Sequence, residues 1–178
     1  SIKTRIGVDD YTSENILDNF LVELNNASIN KYIIHARIAI REKLNTKDNL
    51  NIPPLDYERV FKLKKKFKNN TIIINGGFKH TNYNENIKRK IDGIMIGREA
   101  YKNPWIFSEN TITNQQKVEL VIKYITKLKK FFTGKSFNKN SITHIQNIFN
   151  NANGAKNWRK AVNFSIHNND LQYLLNYI

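Results

Sequence analysis

Over residues 1 to about 110 the chain changes character four times, each time from a short apolar run to a stretch of helical spacing. Ile2-Lys3-Thr4-Arg5-Ile6 reads as a strand. Thr12 or Ser13 can then cap a helix whose apolar face is Ile16, Leu17, Phe20, Leu21 and Leu24. Tyr32-Ile33-Ile34-His35 is a second strand, followed by a polar loop that ends in Pro53-Pro54. The next helix carries Tyr57, Val60, Phe61 and Phe67 on one face. Thr71-Ile72-Ile73-Ile74-Asn75 is an unbroken β-branched run, which suits a parallel strand covered on both faces. A weak polar helix leads to a fourth strand at Asp92–Gly97. Strands and helices in strict alternation predict an α/β fold with a parallel sheet.

Beyond Asn110 the strand signal stops. Val118, Val121, Ile122, Ile125 and Leu128 keep helical spacing, as do Ile142, Ile145, Ile148 and Phe149. Trp158, Ala161 and Val162 continue the pattern, and Leu171, Leu174, Leu175 and Ile178 close it. The sequence therefore predicts two domains, an α/β unit over 1–112 and an all-helical unit over 113–178.

Composition limits the chemistry. The chain has no cysteine, which excludes disulfides, thiolate metal sites and a cysteine acid or nucleophile in these residues. Its four histidines, His35, His80, His144 and His167, have no metal-binding spacing, so no metal site is expected. No run approaches the roughly 18 apolar residues of a membrane span, and no export signal precedes the first strand. A cytoplasmic location with no membrane partner is the expectation. The net charge of +14 favours polyanions. Lys, Asn and Ile are over-used throughout, however, as an AT-rich coding sequence produces, so charge alone does not assign a nucleic-acid partner.

The strand ends are more specific. Lys3-Thr4-Arg5-Ile6-Gly7, His35-Ala36-Arg37, Asn75-Gly76-Gly77 and Gly97-Arg98-Glu99 each close a strand with polar or glycine residues. Asn-Gly-Gly lets backbone N–H groups approach a phosphate with no Cβ in the way. Gly97 followed by Arg98 offers a close backbone approach beside a forked, permanently charged donor. Each is weak alone, since Asn-Gly-Gly commonly makes a plain turn and Lys3 or His35 could be an edge lysine and a core histidine. Four at consecutive strand ends carry more weight. Four β/α units are also half of a closed eight-stranded barrel, which takes about 250 residues and binds ligands at its C-terminal strand ends.

These strings resemble the tRNA-dihydrouridine synthases, in particular their A type. The resemblance runs in order through Lys3–Asp10, Ile34–Arg37, Ile52–Tyr57, Ile74–Gly77 and Gly93–Trp105, and more loosely through Gly154–Lys160. It implies the C-terminal half, strands five to eight, of a flavin-binding (β/α)8 TIM barrel followed by an all-helical tRNA-binding domain. FMN and NADPH are the implied cofactors and tRNA the implied partner, with no protein partner. The implied reaction reduces a D-loop uridine of the 20/20a region to 5,6-dihydrouridine. Carried over residue by residue, Lys3 and His35 would contact the flavin, and Asn75, Gly76, Gly77, Gly97 and Arg98 would hold its phosphate. Arg37, Lys47, Lys156 and Arg159 would face the tRNA, and Trp158 reads as core. The sequence departs from the family at Ile38 and Leu50, where lysine and arginine are usual.

In that family a cysteine protonates the uracil ring, and it belongs to the other half of the barrel. No catalytic residue is therefore expected here. The start at Ser1 and the zero cysteine count lead us to expect a truncated piece, inactive alone. Two other readings compete with this one. Another flavin-barrel oxidoreductase is disfavoured by the A-type strings and the basic tail. A non-catalytic RNA-binding remnant of a decaying gene would be distinguished by stop codons upstream of Ser1.

Overall fold

Four strands form one parallel sheet in the order β1 (Ile2–Val8), β2 (Lys31–Ala39), β3 (Thr71–Asn75) and β4 (Gly93–Met95), each beside its neighbour in sequence. This computed structural model describes residues 1–41, 44–81 and 83–178. Side chains alternate across the sheet, and its two faces differ. Tyr32, Ile34, Ile72 and Ile74 are buried on one face against Leu17 and Leu21 of α1 (Glu14–Asn26) and Val60, Phe61 and Leu63 of α2 (Tyr57–Lys66). The opposite face carries Lys3, Arg5, Ile33, Ile73 and Met95, none of them buried, together with His35, which is buried. The expectation that β3 is covered on both faces thus holds for one face of the described residues.

The predicted face of α1 is only half buried. Leu17 and Leu21 are in the core, while Ile16 and Phe20 are exposed. The reason is topological. β1 is an edge strand, so the side of α1 that overhangs it has no described neighbour, and Tyr11, Ile16 and Phe20 instead line a cavity of about 140 Å³ along that edge. Ser13 occupies the predicted N-cap position through its backbone, without a side-chain cap bond. α2 is capped by the Asp56 carboxylate, which accepts from the Arg59 N–H. α3 (Glu85–Lys88) is the weak polar helix, and β4 is shorter than its predicted span. Asp92, just before β4, turns back to accept from the Ile72 N–H at 2.7 Å and pairs with Lys64 at 2.8 Å.

The contacts divide the chain into two units, Ser1–Gly97 and Arg98–Ile178. The division comes earlier than the composition break at 112/113, because residues just after Gly97 pack with the helical segments. Tyr101 in α4 (Arg98–Lys102) donates to the Thr143 carbonyl, and the Trp105 indole donates to Ile148 O at 2.9 Å. α5 (Asn114–Phe131) opens with a capping box in which Thr113 and Gln116 exchange bonds. α6 (Asn140–Thr143), α7 (Ala155–Asn168) and α8 (Leu171–Tyr177) complete this unit. Val121, Ile125, Ile142, Trp158, Val162 and Leu174 form its core.

The helix expected to continue through Ile145, Ile148 and Phe149 stops at Thr143. Tight i to i−3 bonds replace it, such as Ile145 N–H to Ile142 O and Ile148 N–H to Ile145 O. The carbonyls a helix would have used are taken by the two tryptophans: Trp158 donates to Ile145 O at 2.8 Å and Trp105 to Ile148 O. No helix among the described residues is long and apolar enough to cross a membrane.

Candidate functional site

Strand register aligns the chemistry of the first unit. Arg5 stands opposite His35, His35 opposite Asn75, and Asn75 opposite Met95. Parallel strands lie about 4.8 Å apart, so His35, Asn75 and Met95 form a row roughly 10 Å wide at the C-terminal ends of three strands. Lys3 is opposite Ile33, two residues short of that row, exposed and on the same face. Register therefore brings His35 and the Asn-Gly-Gly turn to one row, while Lys3 reaches it only along the strand. A bulge between Arg5 and Gly7 shifts the register of β1 against β2 beyond this row.

The turn after β3 is held from three sides. Asn75 Nδ2 donates to Met95 O at 2.8 Å, tying the turn to the end of β4. The Tyr57 hydroxyl donates to Gly76 O at 2.7 Å. Burial pushes that phenol's pKa up, with the Arg37 charge opposing, so it remains a donor at neutral pH. Gly76 and Gly77 have φ of +123° and +73°, a region L side chains rarely adopt. A Cβ on Gly76 would lie 2.6 Å from Leu55 Cδ2 and 3.0 Å from the His35 ring, and one on Gly77 would lie 2.7 Å from Leu55 Cδ1. His35, buried at the end of β2, is thus beside the turn.

Gly97 differs from these two. Its φ is ordinary for an L residue, and a Cβ placed there would meet no atom within 4 Å. Neither the backbone nor the packing of the described residues requires glycine at this position. The N–H groups of Gly77, Phe78 and Gly97 donate to no protein acceptor among the described residues. Unpaired N–H groups beside glycines suit a phosphate. Arg98 follows directly, exposed at the start of α4.

Two arginines shape the neighbouring loop. Arg37 Nη1 donates to Asn51 O at 2.8 Å and also to Pro53 O. Arg5 Nη1 donates to Ile38 O at 2.7 Å and Asn49 O at 3.1 Å. Burial and the nearby Arg37 charge lower the pKa of Arg5. Arg37, expected to face substrate, thus has one nitrogen committed to fixing the loop before Pro54. Arg5 was not singled out from sequence. Its position between Lys3 and Gly7 in the first signature was the available signal. Asn49, also missed, is buried and donates to the carbonyls of Ile40, Leu44 and Asn45, which closes the loop on itself. Lys47 begins the 3-10 turn of this loop and is exposed.

Lys156 and Arg159 lie in the first turns of α7, Lys156 exposed and Arg159 half-buried. Neither makes an ion pair among the described residues. Trp158 between them is buried, as expected of a core residue. No group of three or more His, Asp or Glu side chains among the described residues could hold a metal ion.

A family model described as dihydrouridine synthase (Dus) matches residues 1–176. A protein named tRNA-dihydrouridine(20/20a) synthase from Pasteurella multocida (strain Pm70) is 34% identical over 94% of this chain and 53% of its own length. Proteins of the same name from Vibrio vulnificus (strain CMCP6) and Haemophilus ducreyi (strain 35000HP / ATCC 700724) are 34% and 38% identical. They align with 94% and 90% of this chain and with 54% and 51% of their own lengths. The chain spans about half the length of the curated relatives it matches.

Proposed function

The chain belongs to the dihydrouridine synthase family, and from that premise we propose that it forms the C-terminal half of the flavin barrel and the RNA-binding tail of a tRNA-dihydrouridine synthase. The observation that carries this reading is the row of strand ends. Beside His35, the Asn75-Gly76-Gly77 turn and Gly97 offer backbone N–H groups that have no acceptor among the described residues, and Gly97 is a glycine that their packing does not need. Those residues fit a phosphate monoester, and FMN carries one. Gly77 and Gly97 would grip it through the backbone, with the Arg98 guanidinium following Gly97 directly in sequence. His35 would line the ring side, and Lys3, exposed on the same face, would reach its polar edge. Bound there and reduced by NADPH, FMN would supply the hydride for the uracil double bond.

Hydride delivery to one carbon of that double bond leaves charge on the other, which needs a positioned acid. These residues contain no cysteine, and the acid must come from elsewhere in the assembled enzyme. Lys47, Lys156 and Arg159 would hold the tRNA backbone, while Arg37 would fix the loop that faces it. The 178 residues alone would neither retain FMN nor reduce uridine.

The test is to express residues 1–178 alone, then together with the N-terminal half of an A-type relative supplied in trans. Bound flavin and dihydrouridine in tRNA are expected only in the second case. Dihydrouridine formation by the 178 residues alone would refute the reading.

A further inference from the structure

α7 presents a graded surface opposite its buried side of Trp158, Ala161, Val162 and Ser165. Lys156, Lys160 and Phe164 recur every four residues and are all exposed, so they make one stripe along the helix. Two lysines thus lead, a turn at a time, to a phenyl ring that is 49% exposed. That ring is not among the side chains packed on the core of its unit. It lies 4.5 Å from the Tyr173 ring on α8, and Tyr173 lies 6.2 Å from Tyr177, which is 43% exposed. Neither phenol hydroxyl has a hydrogen-bond partner among the described residues. Exposed aromatic rings bordered by unpaired lysines are what proteins offer to single-stranded nucleic acid, where bases stack on rings and phosphates lie on cations.

We propose that Phe164, backed by Tyr173 and Tyr177, is a stacking platform for an unpaired base of the bound RNA, whose backbone runs along Lys156 and Lys160. This rests on the tRNA reading above and adds to it a base contact and a further phosphate contact. Charge favours RNA over a protein partner here. The unit carries four carboxylates, Glu99, Glu109, Glu119 and Asp170, against twelve lysines and arginines, and the stripe contains no acid. The aliphatic face of a protein would cover the rings but would leave Lys156 and Lys160 unanswered.

The experiment titrates the 178-residue chain with a tRNA transcript, a uridine-rich single strand and a fully paired RNA duplex, each across a range of salt. Phe164→Ala should weaken binding to tRNA and single strand roughly 5- to 150-fold, the loss of one stacked base, without changing the salt slope. Binding to duplex, whose bases already stack on each other, should not change. Lys160→Ala should lower the slope by about 0.7 to 0.9 for one lost phosphate contact. Phe164→Trp should keep the affinity and add an indole whose fluorescence the single strand quenches, which separates loss of stacking from loss of folding. Unchanged single-strand affinity in Phe164→Ala, or an equal loss on duplex, overturns the platform while leaving the tRNA reading in place. A change in oligomeric state with no change in RNA affinity also overturns it and assigns the rings to a protein contact. Failure of the unaltered chain to bind tRNA at all would remove both.

Discussion

The two units dispose of their positive charge in opposite ways. In the first, several basic side chains close on carboxylates across elements. Arg59 and Lys66 close on Asp18 at 2.6 and 2.7 Å, Lys64 on Asp92 at 2.8 Å, and Lys62 on Glu14 at 2.8 Å. The Arg59–Asp18 pair is nearly dry, its side chains 6% and 11% exposed. It joins α1 to α2 beneath the sheet's covered face, and Arg59 also donates to Glu14 O. In the second unit Lys102 pairs with Glu99, three residues away on one short helix. Lys123, Lys127 and Lys130 share the outward face of α5 without partners among the described residues. Charge in the first unit serves the fold. In the second it is left available to a polyanion.

The most severe way to probe that contrast is to remove a carboxylate on one side and a cation on the other. Asp18→Ala strands Arg59 in a dry site and should cost the first unit about 3–5 kcal/mol. Lys156→Ala or Lys160→Ala should change stability by no more than about 0.5 kcal/mol. Both tryptophans lie in the second unit. Their fluorescence through a urea titration therefore reports that unit, while amide exchange along β2 reports the first. Equal losses in the two units would erase the distinction.

A smaller effect separates glycines that serve the fold from one that does not. Gly76→Ala forces a side chain into a positive-φ position against Leu55 and His35, and should cost more than about 1 kcal/mol. Gly97→Ala meets open space and should fall within about 0.5 kcal/mol of the parent, both variants being read by amide exchange along β2 and β3.

Acid should sharpen the comparison further. Burial opposes ionisation of Asp18, but hydrogen bonds from Lys66 and Arg59 outweigh it and hold its pKa below the ordinary value. Burial likewise opposes Asp92, and the Ile72 N–H and Lys64 prevail. A depressed carboxylate stabilises the folded state above its unfolded pKa, about 3.9 for Asp. That contribution is lost as pH falls toward the lower folded value. The first unit should therefore lose stability steeply below about pH 4, with amide exchange in β2 and β3 accelerating before tryptophan emission changes. The reverse order would contradict this account. The smallest expected effect is electrostatic: Lys156→Ala should flatten the salt dependence of tRNA binding by up to about 0.9. Arg159→Ala should do less, because Arg159 is half-buried.

Much of this was legible from sequence because it is local. The β-branched run of β3 has the same bounds in the structure as in the reading, and the Asn-Gly-Gly turn takes the positive φ its glycines permit. What escaped was long-range. Asp18 and Arg59 are 41 residues apart, and nothing in the pattern of α1 or α2 marks them as partners. The ending of α6 was hidden for the same reason, since the carbonyls it gives up go to indoles from distant segments. Exposure of Ile16 and Phe20 follows from the edge position of β1, which periodicity does not encode. At the site, glycine identity was readable, but the difference between Gly77 and Gly97 was not. It depends on Leu55 and Tyr57, which the fold brings to one glycine and not to the other.

That difference supplies the most direct test of the claim that the strand ends hold a flavin phosphate. Gly77→Val would be ambiguous, because it strains the turn as well as blocking a ligand. Gly97→Val, placed in the enzyme completed by an N-terminal half in trans, keeps an ordinary backbone and starts its side chain in open space on the side proposed for the phosphate. The account predicts that the purified assembly loses its flavin absorbance while amide exchange along β2 stays that of the flavin-free parent. An assembly that remains fully yellow would contradict it.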